Sequence, residues 1–335
     1  MVTRSVPEVF SWARALIAPA LHAALKTLPE AIWPAVLYHF SWQGADGTPE
    51  NGFTGEIFRP ALTLLAAEAA GGDPAEAVPA AVAVELAHNF SLLHNDVTDH
   101  RATRRHRAAA WTLFGSGPAI LAGDALLALA LGVLSEMPDA RHPLIDAVLA
   151  GIDGHARDLS FEDRFDVTRA ECLDMMSLKT GALVACACGL GAAAGGGDQG
   201  CVARLELFGA HVGLARQLAD DVLGIWGEPD DTGRPRHADL VAHKRSAPVV
   251  AVLDSPQPAG ADLLALLARG SLSAADHERA AGLVERGGGR KWTQELAARH
   301  LSAALTELDT AAAGRAVEEL ALLARFAAAG AAPPD

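Results

Sequence analysis

The chain has 335 residues, 50% hydrophobic and 20% charged, with 27 Lys and Arg against 41 Asp and Glu and a formal charge of −14. That length and apolarity suffice to bury a large core and exclude a disordered chain; the acidity, without any long Lys/Arg run, excludes a general nucleic-acid binder, whose phosphate contacts need a basic face. Cys172, Cys186, Cys188 and Cys201 lack the spacing of a zinc site and read as core thiols of a cytoplasmic protein.

No basic segment followed by an apolar run opens the sequence, so no signal peptide is expected, and residues 1–8 and 327–335 read as frayed ends. Between them apolar residues recur at helical spacing, Ala and Leu dominate, and period-two strands are hard to find. Breaks at Gly44 to Gly55, Gly71 to Pro79, Met137 to Pro143, Gly189 to Gly200, Gly227 to Arg236 and Gly287 to Gly289 divide the chain into roughly eight or more helices. No composition shift separates a second unit, so the expectation is one all-α domain over 1–335.

The first chemically marked helix ends in Asn95-Asp96-Val97-Thr98-Asp99, where Asp96 and Asp99 are expected to converge with Asn95 on one side. A basic run follows at once, His100-Arg101-Ala102-Thr103-Arg104-Arg105-His106-Arg107, and arginine forks suit phosphate oxygens. The most apolar window, Pro118 to Leu134, is interrupted by Asp124 and short for a bilayer span, so a buried helix is predicted there. Lys179-Thr180 then opens another apolar helix, and Asp220-Asp221-Val222-Leu223-Gly224 closes a later one, followed by Arg234 and Lys244-Arg245. Carboxylates on facing helices at the end of an apolar cavity repel one another unless a hard cation lies between them. Magnesium takes one or two carboxylates together with substrate phosphates, so the residues themselves point to a magnesium-diphosphate site.

With these motifs in order, Ser91 to Asp99, Thr103 to Arg107 and Trp111 to Gly115, then Leu178 to Leu183, then Gln217 to Gly227 with Thr232 to Pro235, Asp239-Leu240 and Lys244, the chain resembles the trans-isoprenyl diphosphate synthases. The resemblance implies an all-α isoprenoid synthase bundle around a central apolar cavity, and a homodimer. It implies that Asn95, Asp96, Asp99, Asp220 and Asp221 hold roughly two or three magnesium ions against an allylic diphosphate. Arg59, Arg104, Arg105, Lys179, Arg234 and Lys244 would grip diphosphate, Gln217 would line the reacting centre, and Phe90, Ser91 and Trp111 the prenyl cavity.

Three positions depart from the family pattern. Asn95 stands where an Asp is usual, a neutral amide in place of a carboxylate. Gly224 stands where many members carry a third Asp, a change expected to cost little. Glu56 lies where the family usually has a Lys that binds isopentenyl diphosphate, and reversing a charge contact of ~4 kcal/mol should cripple that second site. The sequence expectation is therefore a terpene-synthase-like enzyme that ionises farnesyl or geranylgeranyl diphosphate and ends in cyclisation, deprotonation or water capture. The alternatives are a chain-elongating prenyltransferase and a non-catalytic partner subunit.

Overall fold

The structure, a computed structural model, describes residues 3–50, 57–104, 106–309 and 314–330. Helix α1 (Val6–Leu25) starts inside the stretch expected to fray, because Ser5 and Glu8 form a capping box and Arg4 forks onto the buried Glu319. Its Val9, Ala13, Ile17 and Leu21, one per turn, are buried, and Phe10 meets Phe326 edge-on at 5.7 Å. That contact places the first helix against the last, α17, whose bounds are Arg315–Ala328, so the described part of the other end is also helical.

After α2 (Trp33–His39) come α3 (Phe58–Ala69) and α4 (Val78–Thr98), the centre of the bundle. Leu62, Leu64, Leu65, Leu86 and Leu93 on these two helices are fully buried, each worth about 1.5–3 kcal/mol of transfer free energy. A ribbon of two-residue strands, Thr103–Arg104 paired with Arg107–Ala108, turns the chain into α5 (Ala110–Phe114) and α6 (Ser116–Val133). Next are α7 (Pro138–Phe161), α8 (Arg169–Met176), a π-helical turn at Ser177–Gly181, α9 (Ala182–Ala194) and α10 (Gln199–Trp226). The short α11 (Pro229–Thr232), α12 (Ala238–Val241) and α13 (Ala247–Leu253) lead to α14 (Pro258–Leu267), α15 (Ala274–Arg286) and α16 (Gly289–Asp309).

The Ala/Gly-rich helix α9 lies between α3 and α10 because its small residues let backbones approach. A methyl on Gly191 would sit 2.0 Å from the Thr63 carbonyl oxygen, and one on Gly209 of α10 would sit 2.6 Å from the Val184 carbonyl oxygen. Burial pushes the Cys186 thiol up to about 12 and those of Cys172 and Cys188 higher still, so these are unreactive core groups.

Two expectations need correcting. The break at Met137 to Pro143 is confined to its start: α7 begins at Pro138 and runs through Pro143, at the cost of one intrahelical bond. The apolar window at Pro118 is a helix, but only 28% of it is buried, with Ile120 40% and Leu121 58% exposed. Helix α6 gives one face to α4 and leaves the other apolar. By length and composition Ser116–Val133 and Arg169–Ala194 could each cross a membrane; the second is 61% buried within the protein.

Candidate active site

Both aspartate clusters lie in the final turns of their helices, α4 and α10, and both reach one cavity of ≈ 660 Å³. Asn95 and Asp99 line it from α4, Asp220 and Asp221 from α10, and Ser91 and His88 lie lower on the α4 wall.

The adjacent carboxylates do not point the same way, because consecutive helical residues are about 100° apart around the axis. Asn95 and Asp99, four apart, share the cavity face. Asp96, 2% exposed, is turned aside and accepts a bidentate fork from Arg104, Nε at 2.7 Å and Nη2 at 2.6 Å. Asp96 and Arg104, expected as a metal ligand and a diphosphate grip, are thus paired with each other in this structure. The pair fixes the end of α4 against the ribbon that follows it.

The second cluster divides similarly. Asp220 faces the cavity, while Asp221, 6% exposed, accepts from Gln217 Nε2 at 2.8 Å and from the Ala247 N–H at 2.7 Å, at the start of α13. Burial, with the like charge of Asp239 nearby, pushes Asp221 up to about 7 in spite of these two donors. Thr180 Oγ1 donates to Gln217 Oε1 at 2.7 Å, so the π turn, Gln217 and Asp221 form one hydrogen-bonded chain.

Gly224 is explained by Asp239. A Cβ at position 224 would lie 2.2–2.6 Å from the Asp239 carboxylate, so a carboxylate from α12 fills the space beside the helix where the family's third Asp would start. Burial raises Asp239 to about 6, against the pull of Arg234 and Arg101.

The lysines depend on a residue that sequence reasoning missed. Asp158 on α7 is buried, and its Oδ2 accepts from Lys179 Nζ at 2.7 Å and from Lys244 Nζ at 2.9 Å. Lys244 also donates to Glu162 at 2.7 Å and to Asp99 at 3.3 Å. Burial opposes the charge on Asp158, but the two ammonium groups hold it at about 2, and the same carboxylates hold Lys244 above its usual range against burial. Helix α7 reaches the π turn because residue 154 is glycine: a Cβ there would lie 2.3 Å from the Lys179 nitrogen. The π turn sets Lys179 and Thr180 toward the cavity.

Arg59, Arg104, Lys179, Gln217, Arg234, Lys244 and Ser91 all line the cavity. Phe90 and Trp111 do not line it. Phe90 packs against the His94 ring at 4.7 Å, and the Trp111 indole donates to the Arg101 carbonyl at 2.7 Å. Both positions lie next to site residues in sequence but on the wrong side of the backbone. Arg105 and Glu56 lie outside the described residues. Besides Asp158, the cavity is lined by Arg216, which sequence reasoning missed, and by Arg101 and Asp239, which were seen in their motifs but given no site role. Arg216 could have been found from its spacing, four before Asp220 on one helix face; Asp158 had no local signal.

Among the described residues no group of three His, Cys, Asp or Glu side chains forms a cage for a cation. Carboxylate and amide oxygens on facing helices fit magnesium whose shell is completed by water and phosphate, and they do not suit zinc.

Residues 51–284 match the polyprenyl synthetase family model. The chain is 43% identical over 313 residues to the (2E,6E)-farnesyl diphosphate synthase of Mycobacterium tuberculosis, covering 90% of this chain and 86% of that one. The crystal structure of a polyprenyl synthetase from Streptomyces coelicolor A3(2) superposes with a TM-score of 0.91 at 42% identity, covering 96% of this chain and 99% of the other. A polyprenyl synthase from Caulobacter crescentus CB15, complexed with calcium and isoprenyl diphosphate, superposes with a TM-score of 0.86 at 29% identity, covering 99% and 100%. These similarities contradict the terpene-synthase expectation and favour its alternative, chain elongation. That expectation leaned most on Glu56 although Arg59 remained beside it, and the cavity wall carries a further cation, Arg216, that one position does not remove.

Proposed function

Because this chain belongs to the polyprenyl synthetase family of trans-isoprenyl diphosphate synthases and is an enzyme that uses isoprenyl diphosphates, we propose that it elongates an allylic diphosphate by condensing it with isopentenyl diphosphate. The observation that carries this reading is the near full-length similarity to a farnesyl diphosphate synthase. The cavity supports it by combining a cationic and acidic mouth with Leu92, Met175, Met176 and Leu183 on its wall.

In this reading Asp99, Asp220 and the amide oxygen of Asn95 hold magnesium. When bound with diphosphate, the metal neutralises negative charge that grows as the allylic carbon–oxygen bond breaks. Lys179, Lys244, Arg101 and Arg234 grip the departing diphosphate oxygens, and the first three are already held by carboxylates before substrate arrives. Gln217, tied to Thr180 and Asp221, presents a fixed side chain beside the reacting carbon. The double bond of isopentenyl diphosphate attacks the cation, a carbon–carbon bond forms, and loss of a proton restores a double bond. Apolar walls exclude water that would otherwise end the cation as an alcohol.

The test is to incubate the purified protein and magnesium with dimethylallyl, geranyl or farnesyl diphosphate, with and without isopentenyl diphosphate. A longer prenyl diphosphate that appears only when isopentenyl diphosphate is present is the expected product. A hydrocarbon or alcohol formed equally well without it would overturn elongation.

We also propose a homodimer through the bare face of α6 and the adjoining α7. Ile120 and Leu121 on α6 are 40% and 58% exposed, and Leu149 and Ile152 on α7 are 58% and 48% exposed, large apolar side chains that a partner surface would cover. Sedimentation at micromolar protein should give a dimer, and Leu121→Asp with Leu149→Asp should shift it to monomer; a monomeric parent chain would reject the proposal.

A further inference from the structure

The segment between α12 and α13 carries Lys244, and its backbone is strained just before that residue: His243 takes a left-handed conformation, φ 53°, which residues other than glycine rarely adopt. Such a turn persists only where its surroundings hold it. Arg245 supplies the hold. It is 2% exposed, and its guanidinium donates to three backbone carbonyls, from Nη1 to His243 at 2.9 Å, from Nη2 to Glu162 at 2.8 Å and from Nε to Arg164. The guanidinium carbon also lies 4.7 Å from the centroid of the Phe165 ring.

Glu162 caps the C-terminal end of α7, where carbonyls without intrahelical partners attract a cation. Arg245 therefore staples together two stretches far apart in the chain, the turn before Lys244 and the end of α7. Both bear on one atom. Lys244 Nζ donates to Glu162 at 2.7 Å and to Asp158, one turn earlier on α7, at 2.9 Å. The helix end that Arg245 fixes through its main chain thus also carries the carboxylates that aim the Lys244 ammonium group.

Resting on the reading that Lys244 grips an allylic diphosphate, we propose that Arg245 is a positioning residue for Lys244: it holds the left-handed turn at His243 against the end of α7, so that the ammonium group stays at the cavity mouth. Arginine suits this role because its planar fork presents donors in several fixed directions, whereas a lysine ammonium is a single point. Arg245 stands outside the cavity wall, so its effect on a bound diphosphate passes through its neighbour.

The test is a double-mutant cycle on the full chain with magnesium, read by calorimetry with inorganic diphosphate and by initial rates. Arg245→Gln should weaken diphosphate binding and lower kcat/KM for the allylic substrate roughly tenfold to a hundredfold, the upper end being the penalty for a misplacement of about 1 Å, while KM for isopentenyl diphosphate stays within about twofold. In a Lys244→Gln chain the same change should alter either quantity by less than about twofold, because the group it positions is gone. No loss in either background, or equal losses in both, would overturn the assignment, since a residue that only supports the fold costs the same with or without Lys244. Circular dichroism verifies folding; if Arg245→Gln misfolds, Arg245→Lys carries the cycle, and equal losses again reject the assignment. The two readings fail separately. A parent chain that binds diphosphate with this coupling yet forms no longer product refutes elongation and supports the positioning role; one that elongates with equal losses in both backgrounds refutes only that role, and one that neither elongates nor binds diphosphate overturns both.

Discussion

Asp99→Asn lowers kcat/KM for elongation by roughly 10³-fold, the largest single-residue loss expected in the site. The first cluster starts with less charge than its pattern suggests: Asn95 is neutral, and Asp96 is committed to Arg104. Asp99 is thus the one carboxylate that α4 presents to the cavity. Its removal leaves that wall with two amides and frees Lys244 and Arg101 from a neighbour 3.3 Å and 3.9 Å away. Asn95→Asp should act in the opposite sense, lowering the magnesium concentration for half-maximal rate several-fold by adding an anionic oxygen ligand. Both variants are read from initial rates across a magnesium titration. An Asp99→Asn enzyme within about tenfold of the parent would remove Asp99 from the metal edge.

Asp158→Asn is expected to cost about 10²-fold in kcat/KM, although Asp158 need not touch the chemistry. It is the common partner of Lys179 and Lys244, and without its charge Lys179 loses the carboxylate that holds it while Lys244 keeps Glu162 and Asp99. The same pairing links Asp158 to stability. Its pKa is depressed to about 2, so the charged form contributes on the order of 2 kcal/mol above about pH 4, and this is lost as pH falls from there toward 2. Urea midpoints at pH 7 and at pH 3 should therefore differ more in the parent than in Asp158→Asn. Identical acid slopes would show that the pairing does not hold the fold.

The helical bundle and the place of its chemistry were legible in the sequence because both are local. An apolar period of 3.6 marks a helix, and Asp220-Asp221 or Asn95 to Asp99 marks a helix end. What a linear pattern could not resolve is orientation within one turn. Asp96 and Asp99 look equivalent in the motif, but packing against the ribbon places Arg104 at one and the cavity at the other. Phe90 and Trp111, expected at the prenyl cavity, pack against His94 and bond the Arg101 carbonyl for the same reason.

An all-α chain with two aspartate clusters, a Lys-Thr turn and basic residues beside them follows from local spacings of a few residues. Tertiary structure alone decided which carboxylates face the cavity, that Asp158 ties two distant lysines together, and that Asp239 occupies the room beside Gly224. It also set the Arg216 guanidinium of α10 over the Phe58 ring of α3, next in sequence to Arg59. These are contacts between helices far apart in the chain, and their strength depends on burial and on distances of a few ångströms. Neither is written into any local run of residues.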